Sequence, residues 1–142
     1  MIGDQWISFE VGEETYVHPV DEIQEIIPYA DPVPVPGAPS FAQGILNVRG
    51  CVVTILSSHA LLDTGRSGCL EEGRIIILEV GCEQFGISVD SVGDIITFKS
   101  DQVEWADQGE QFPLIKGTYH LDCRLYILTD FESFAGGYGE IS

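Results

Sequence analysis

The chain contains an internal repeat, and this repeat limits the folds that it can adopt. Segment 6–27, WISFEVGEETYVHPVDEIQEII, aligns without a gap over segment 75–96, IIILEVGCEQFGISVDSVGDII, with nine of 22 positions identical. A weaker match follows, in which GILNVRGCVVTILSSHAL (44–61) lies over GTYHLDCRLYILTDFESF (117–134). Only the first glycine is identical there, but the apolar pattern on either side of a turn is shared. A repeat of this length predicts two structurally related halves, about 6–62 and 75–134, within a single domain 1–142.

Each half carries the signals of short β-strands. Residues 6–11, WISFEV, alternate and place Ile7, Phe9 and Val11 on one face. The segments RIIILEV and RLYILTD are rich in β-branched and aromatic residues and too short for ordinary helices. Gly12–Glu13 and Gly81–Cys82 are typical of hairpin turns. The pattern predicts a hairpin, a connector and a second hairpin in each half.

Two further local structures are predicted between these hairpins. After each first hairpin, an aspartate precedes apolar residues at i, i+3, i+4 spacing, which predicts a capped helical turn; the residues are Asp21 with Ile23, Ile26 and Ile27, and Asp90 with Val92, Ile95 and Ile96. Another short helical turn is expected at HALL, with Ser57 as its cap. Segment 28–39, PYADPVPVPGAP, holds five of the seven prolines and predicts an extended connector with Val33 and Val35 packed inward. An alternative is that this segment is a ligand for an SH3-type groove.

Charge and composition exclude several classes of function. The net charge is −17, from 23 acidic and six basic residues, which disfavours nucleic acid and anionic lipid surfaces as partners. No segment reaches the ~20 apolar residues of a membrane span, and the first ten residues do not resemble a secretory signal, so we expect a cytoplasmic protein without membrane insertion. The four dispersed cysteines are expected to be free thiols, and no His or Cys pair has the spacing of metal ligands; the cysteines are Cys51, Cys69, Cys82 and Cys123.

Catalytic motifs are weak. Two serines lie beside His59, but neighbours in sequence rarely form a nucleophile–base pair without a third, orienting group. No phosphate-binding G-x-x-x-x-G-K loop occurs. The sequence therefore predicts a protein that is not an enzyme and that binds no metal. Many short strands predict an all-β fold, a small barrel or sandwich. The duplication predicts two such units, related by a pseudo-twofold axis and packed face to face with a groove between them.

The order of four segments resembles the CheW family, the coupling proteins of bacterial chemosensory arrays. The most specific is N-x-R-G, here Asn47, Val48, Arg49 and Gly50; the others are IQEII followed by PVPGAPSF, then GISVDSVGDII, and a closing RLYILTDFESF. The resemblance implies two five-stranded, SH3-like barrels and a non-catalytic adaptor that uses no cofactor. Such an adaptor joins the cytoplasmic tip of a methyl-accepting chemoreceptor to the regulatory domain of a CheA-type histidine kinase, in arrays associated with the membrane.

Departures from the family pattern leave alternatives open. Thr54 and Ser57 stand where the family usually has Pro and Asp, so a divergent chemosensory system, such as one for twitching motility, is an alternative to the flagellar pathway. Another alternative is a scaffold that binds only itself or a partner that is not a receptor.

Arg49 is unusual because a charged residue stands between two apolar runs. A buried arginine needs a partner, and the repeat and the resemblance both point to Glu25. In the second half the matching positions are acidic, Asp94 and Asp122. We expect Glu25 and Arg49 to rim a receptor-binding groove, although the pair could instead only pin the connector to the hairpin. The expected apolar lining of this groove is Ile23, Val52 and Ile95, since a docked receptor helix buries an apolar stripe.

Overall fold

Two antiparallel-rich sheets form the molecule. The computed structural model describes residues 5–38, 42–61, 73–80, 83–105 and 115–129. Its strands are β1 (Gln5–Val11), β2 (Glu14–Pro19), β3 (Ile23–Pro28), β4 (Ala42–Val48), β5 (Cys51–Ser57), β6 (Arg74–Val80), β7 (Glu83–Val89), β8 (Ser91–Thr97), β9 (Glu104–Trp105), β10 (Ile115–Leu121) and β11 (Arg124–Thr129). A four-residue helix, α1 (Ser58–Leu61), and two 3-10 turns, Val20–Glu22 and Ser100–Gln102, complete the described elements. No helix in these ranges is long and apolar enough to cross a bilayer.

The two sheets have the same internal order. The sheet of barrel 1 runs β8-β1-β2-β11-β10-β9, and that of barrel 2 runs β3-β6-β7-β5-β4. Replacing each strand by its repeat partner converts one order into the other, apart from the short β9. The registers also correspond, because Tyr16 pairs with Ile127 in barrel 1 and Phe85 pairs with Thr54 in barrel 2. The all-β, pseudo-twofold pair of barrels predicted from the repeat is therefore confirmed.

Neither barrel is made from one half of the chain. The first hairpin, β1–β2, lies between β8 and β11 of the second half, while the hairpin β6–β7 lies between β3 and β5 of the first half. The two halves thus exchange their first hairpins. Separating the two halves of the chain would break two interstrand pairings in each sheet, so we expect the halves to unfold as one unit.

The apolar residues form three clusters. One fills barrel 1, with Trp6, Phe98 and Tyr119 stacked at its centre, and another fills barrel 2. The third lies between the barrels and takes side chains from both sheets; it contains Phe9, Val11, Tyr16, Leu56, Ile76, Leu78, Ile87 and Val89. Burial raises the pKa of Tyr16, and the nearby Glu14 raises it further, so the phenol stays neutral in this interface.

The continuous apolar run of β6 follows from this three-cluster arrangement. Ile75 and Ile77 face the interior of barrel 2, whereas Ile76 and Leu78 face the interface between the barrels. Both faces of β6 are buried, so the strand shows no alternation of apolar and polar residues.

Two local predictions are wrong. The segments after the first hairpins are the strands β3 and β8, and only Val20–Glu22 forms a 3-10 turn, without a side-chain cap. Each segment forms a strand because its backbone pairs with a neighbouring strand, with Ile26 opposite Ile76 and Ile95 opposite Ile7. Tertiary pairing of this kind overrides local helical spacing.

The second error concerns the connector. Val33 and Val35 are exposed and do not pack inward, with Val33 63% accessible. The backbone of Val33 forms two hydrogen bonds with that of Ile45, both of 2.9 Å, which hold the connector along the edge of barrel 2. The predicted short helical turn after β5 does form, as α1. The linker 63–72, the turn Gly81–Cys82 and the tail after 129 lie outside the described residues.

The one glycine shared by the second hairpins lies where the connector crosses the strand. A Cβ on Gly44 would be 2.2 Å from the carbonyl oxygen of Val33, and a Cβ on Gly117 would be 2.5 Å from that of Glu104. The connector in barrel 2 and β9 in barrel 1 pass too close to these strands for a side chain at either glycine. This close approach explains why glycine is the only identity in that part of the repeat.

The second hairpins end in turns with both central residues at positive φ. These residues are Arg49 and Gly50 (53° and 84°) between β4 and β5, and Asp122 and Cys123 (50° and 66°) between β10 and β11. The pattern is that of a type I′ turn, for which glycine is the preferred second residue. Cys123 adopts this conformation with a side chain, at a cost of about 1 kcal/mol.

We therefore expect Cys123→Gly to stabilise the protein by about 0.5 kcal/mol, because the relief of strain exceeds the entropy that glycine loses. Cys123 is exposed and a free thiol, so no packing is lost. Thermal unfolding measures the change, with Gly50→Ala as the converse substitution, expected to destabilise. An unfolding midpoint for Cys123→Gly below that of wild type would contradict the strain argument.

Candidate functional site

The N-x-R-G segment builds the turn that presents Arg49. The side-chain oxygen of Asn47 accepts a hydrogen bond of 2.9 Å from the backbone N–H of Gly50, which closes the turn. Gly50 supplies the positive φ that this conformation requires. Asn47 closes the turn, Gly50 allows its backbone conformation, and the guanidinium of Arg49 extends from the tip of the β4–β5 hairpin.

The guanidinium reaches the edge strand β3. One terminal nitrogen of Arg49 lies 3.0 Å from a carboxylate oxygen of Glu25, as the repeat had suggested. The ion pair spans the gap between β3 and the β4–β5 turn, the two ends of the sheet of barrel 2. We call this gap the seam of barrel 2.

The environment of the pair differs from the one expected. Arg49 is 80% exposed and Glu25 is 24% exposed, so the arginine is not buried by the apolar runs beside it. The turn carries the side chain away from the core, although its neighbours in sequence are apolar. An exposed pair of this kind contributes ~0–1 kcal/mol, well below the cost of breaking a buried one.

A double-mutant cycle checks this magnitude. We expect Arg49→Ala and Glu25→Ala each to destabilise the protein by less than about 1 kcal/mol, with a coupling energy of about 0.5 kcal/mol that declines as salt rises. Denaturant unfolding of the four proteins supplies the numbers. A coupling energy above about 2 kcal/mol would show that the pair is shielded from solvent.

The three apolar residues predicted for the groove lie in different environments. Val52 is 67% exposed and stands opposite Asn47 on the hairpin that carries Arg49. Ile23 is half-buried and packs against the cluster between the barrels. Ile95 is 54% exposed, but it belongs to β8 of barrel 1, paired with Ile7. The structure thus brings Glu25 and Arg49 into contact and places Val52 close by in the chain, while Ile95 is on the other barrel.

A junction between the two halves was not predicted. One carboxylate oxygen of Asp90 lies 2.8 Å from Nε2 of His59, and the other accepts the backbone N–H of Gly12 at 2.8 Å. Asp90 therefore joins α1, the β1–β2 turn and the start of β8. The repeat partner of Asp90 is Asp21, which is exposed, so the repeat contained no signal for this role.

The described residues hold no group of three His, Cys, Asp or Glu side chains that could bind a metal ion. His59 does gain an orienting carboxylate from Asp90, but the hydroxyl of the neighbouring Ser58 donates to the backbone oxygen of Ser88. That hydroxyl is therefore engaged with the main chain and is not directed to the imidazole.

Comparison with known proteins identifies the family. The model of the CheW-like domain matches residues 5–136, which is nearly the whole chain. The chain belongs to the CheW-like family. This family consists of non-catalytic scaffold and adaptor proteins of chemotaxis, which confirms the prediction that the chain is not an enzyme.

Individual relatives agree with this CheW-like assignment. The chain is 29% identical over 109 residues to "Chemotaxis protein CheW" of Bacillus subtilis, covering 77% of this chain and 70% of that protein. It is 26% identical over 134 residues to the protein of that name in Rhizobium meliloti, covering 92% and 86%. It is also 27% identical over 118 residues to "Protein PilI" of Pseudomonas aeruginosa, covering 80% and 66%.

A solved structure matches the fold of this CheW-like chain. The crystal structure of the scaffolding protein TtCheW from Thermoanaerobacter tengcongensis superposes with a TM-score of 0.82, at 22% identity, over 92% of this chain and 86% of that one. The likeness confirms the two-barrel architecture.

Proposed function

We propose that this CheW-like chain couples chemoreceptors to a CheA-type histidine kinase, as a cytoplasmic adaptor recruited to membrane-associated receptor arrays. The observation that carries the proposal is the family match over residues 5–136, because it includes both barrels and the complete N-x-R-G turn. The chain supplies no chemistry of its own. It acts by holding a receptor tip and the regulatory domain of the kinase at the same time.

The receptor surface proposed is a groove where the barrels meet, lined by Ile23, Val52 and Ile95 and rimmed by Glu25 and Arg49. Two features support it. Within the described ranges, Val52 and Ile95 are large apolar side chains that stay exposed, and exposed apolar residues rimmed by polar ones are typical of recognition surfaces. The Arg49–Glu25 pair also joins the hairpin that carries Val52 to β3.

The kinase regulatory domain would use a different surface, an exposed barrel end, because coupling requires a ternary complex. The net charge of −17 favours partner surfaces with basic rims and speeds their encounter. Association rates should therefore fall as salt rises.

The test measures both partners together. The full chain is mixed with a receptor cytoplasmic fragment and the kinase regulatory domain of the same organism, and the complexes are resolved by sedimentation velocity. The proposal predicts a ternary species and no competition between the two partners. Mutual exclusion of the partners on wild-type protein would refute it.

A second candidate keeps the adaptor role but changes the system. The similarity to Protein PilI favours an adaptor of a divergent chemosensory system, such as one for twitching motility. A deletion strain assayed for swimming and for surface motility distinguishes the two. A third possibility, a scaffold that only self-assembles, predicts oligomers in the absence of both partners.

A further inference from the structure

Barrel 1 has a seam equivalent to the one that Arg49 closes in barrel 2. We define the seam of barrel 1 as the gap between the edge strand β8 and the β10–β11 turn. In each sheet, the pairing of the edge strand with its neighbour contains a register shift. In barrel 2 the shift lies between Ile23 and Glu25 of β3, and in barrel 1 it lies between Ile7 and Phe9 of β1, the neighbour of β8. The two shifts fall at equivalent positions of the repeat. Both turns have the same positive φ pattern. The two seams therefore have matching backbones.

The charges at the two seams differ. Asp94 stands at the position of Glu25, and Asp122 stands at the position of Arg49, so barrel 1 has two acids where barrel 2 has an acid and a base. Within the described part of the chain, neither Asp94 nor Asp122 pairs with a basic side chain. Two carboxylates at these positions cannot form the ion pair that closes the seam of barrel 2.

Exposure indicates that the seam of barrel 1 is open. Asp94 is exposed, whereas Glu25 under the arginine is half-buried. Ile95 is 54% accessible, whereas its repeat partner Ile26 is 37% accessible. Leu121, beside Asp122, is also an exposed large apolar residue. The open seam thus combines two acidic groups with apolar residues on either side.

We propose that the open seam of barrel 1 binds an arginine side chain that a partner protein presents between apolar residues. In barrel 2, a seam with the same backbone geometry is occupied by Arg49 of the chain itself, whose guanidinium lies 3.0 Å from the carboxylate of Glu25. A planar guanidinium can bind both carboxylates at once. The occupant is a different protein, since two copies that each carry a charge of −17 repel each other.

The first experiment needs no partner. Asp122→Arg places an arginine in a turn whose φ, 50°, matches that of Arg49 at 53°. We expect it to pair with Asp94 and to raise the unfolding midpoint by about 1–2 °C relative to Asp101→Arg, which changes the charge equally at an exposed acid outside the seam. The gain should vanish when Asp94→Asn is added. A midpoint no higher than that of Asp101→Arg, or a gain that survives Asp94→Asn, overturns the seam geometry.

The second experiment uses the two partners of the proposed adaptor role, and only the choice of these partners rests on that role. Calorimetry compares wild type with Asp94→Asn/Asp122→Asn, and with Asp101→Asn/Glu104→Gln as the control with the same charge. The receptor fragment should bind the seam variant about tenfold more weakly and with less dependence on salt, because Ile95 belongs to both the seam and the proposed receptor groove, while the control stays within twofold.

Equal binding of both variants to both partners overturns the proposal. So does self-association of wild type that the seam variant abolishes in sedimentation velocity, because the occupant is then a second copy. If neither partner binds wild-type protein, the adaptor role fails, and the stability of Asp122→Arg still decides whether the seam accepts an arginine.

Discussion

Gly44→Ala is expected to destabilise the protein by about 3 kcal/mol or more, through overpacking and an unfavourable backbone conformation. The new Cβ would lie 2.2 Å from the oxygen and 2.6 Å from the carbon of the Val33 carbonyl. These atoms belong to a backbone held by two hydrogen bonds to Ile45, so the connector cannot move away without losing them. Gly44 also has a φ of 148°, which side chains rarely allow.

Substitutions at two other glycines separate the contributions of steric overlap and of backbone strain to this loss of stability. Gly117→Ala meets the carbonyl oxygen of Glu104 at 2.5 Å without a positive φ, so it reports overlap alone. Gly37→Ala has a φ of 82° and no atom within 4 Å, so it reports backbone strain alone, at about 1 kcal/mol. Denaturant unfolding should rank the losses with Gly44→Ala first and Gly37→Ala last. A loss for Gly44→Ala no greater than for Gly37→Ala would show that the connector yields easily.

Ile95→Asp is expected to reduce receptor binding more than a hundredfold while leaving kinase binding within about threefold, a difference below 1 kcal/mol. The substitution places a charge, beside Asp94, in the apolar lining of the proposed groove. Burying an unpaired carboxylate against a receptor helix costs several kcal/mol. Ile95 is 54% exposed, so the fold itself should tolerate the change.

Circular dichroism first confirms that the mutant folds, and calorimetry then measures each partner separately. Val35→Asp is the matched control, because Val35 is also exposed but lies in the connector, outside the proposed groove. Its binding to both partners should stay near the wild-type value. Equal loss of both partners by a folded Ile95→Asp protein would refute separate receptor and kinase surfaces.

The asymmetry of the two seams has a functional consequence within the proposed role. The seam of barrel 2 is closed by Arg49 and Glu25 and is therefore ready before any partner arrives. The seam of barrel 1 has the same backbone plan but, among the residues that the structure describes, no cation. A duplicated fold of this kind can keep one site preformed and leave its counterpart for a partner.

Several features of the protein were determined by the sequence alone. The ungapped repeat and the β-rich segments predicted two related all-β units, because side-chain alternation and turn residues act locally. The ion pair between Arg49 and Glu25 was also predicted, because the matching positions of the repeat are both acidic and the family resemblance places the two residues near one groove. The burial of Arg49 on which the argument began was wrong.

Other features depended on tertiary structure. The local spacing of Ile23, Ile26 and Ile27 indicated a helical turn, but pairing with β6 made the segment a strand. The exchange of first hairpins between the halves was invisible in sequence, because a repeat shows which segments are alike and contains no information on which copies pair. The exposure of Arg49 likewise followed from the direction of a turn that carries the side chain away from its apolar neighbours. Patterns along the chain determined the strands, whereas long-range backbone hydrogen bonds decided their partners and the surface that they leave open.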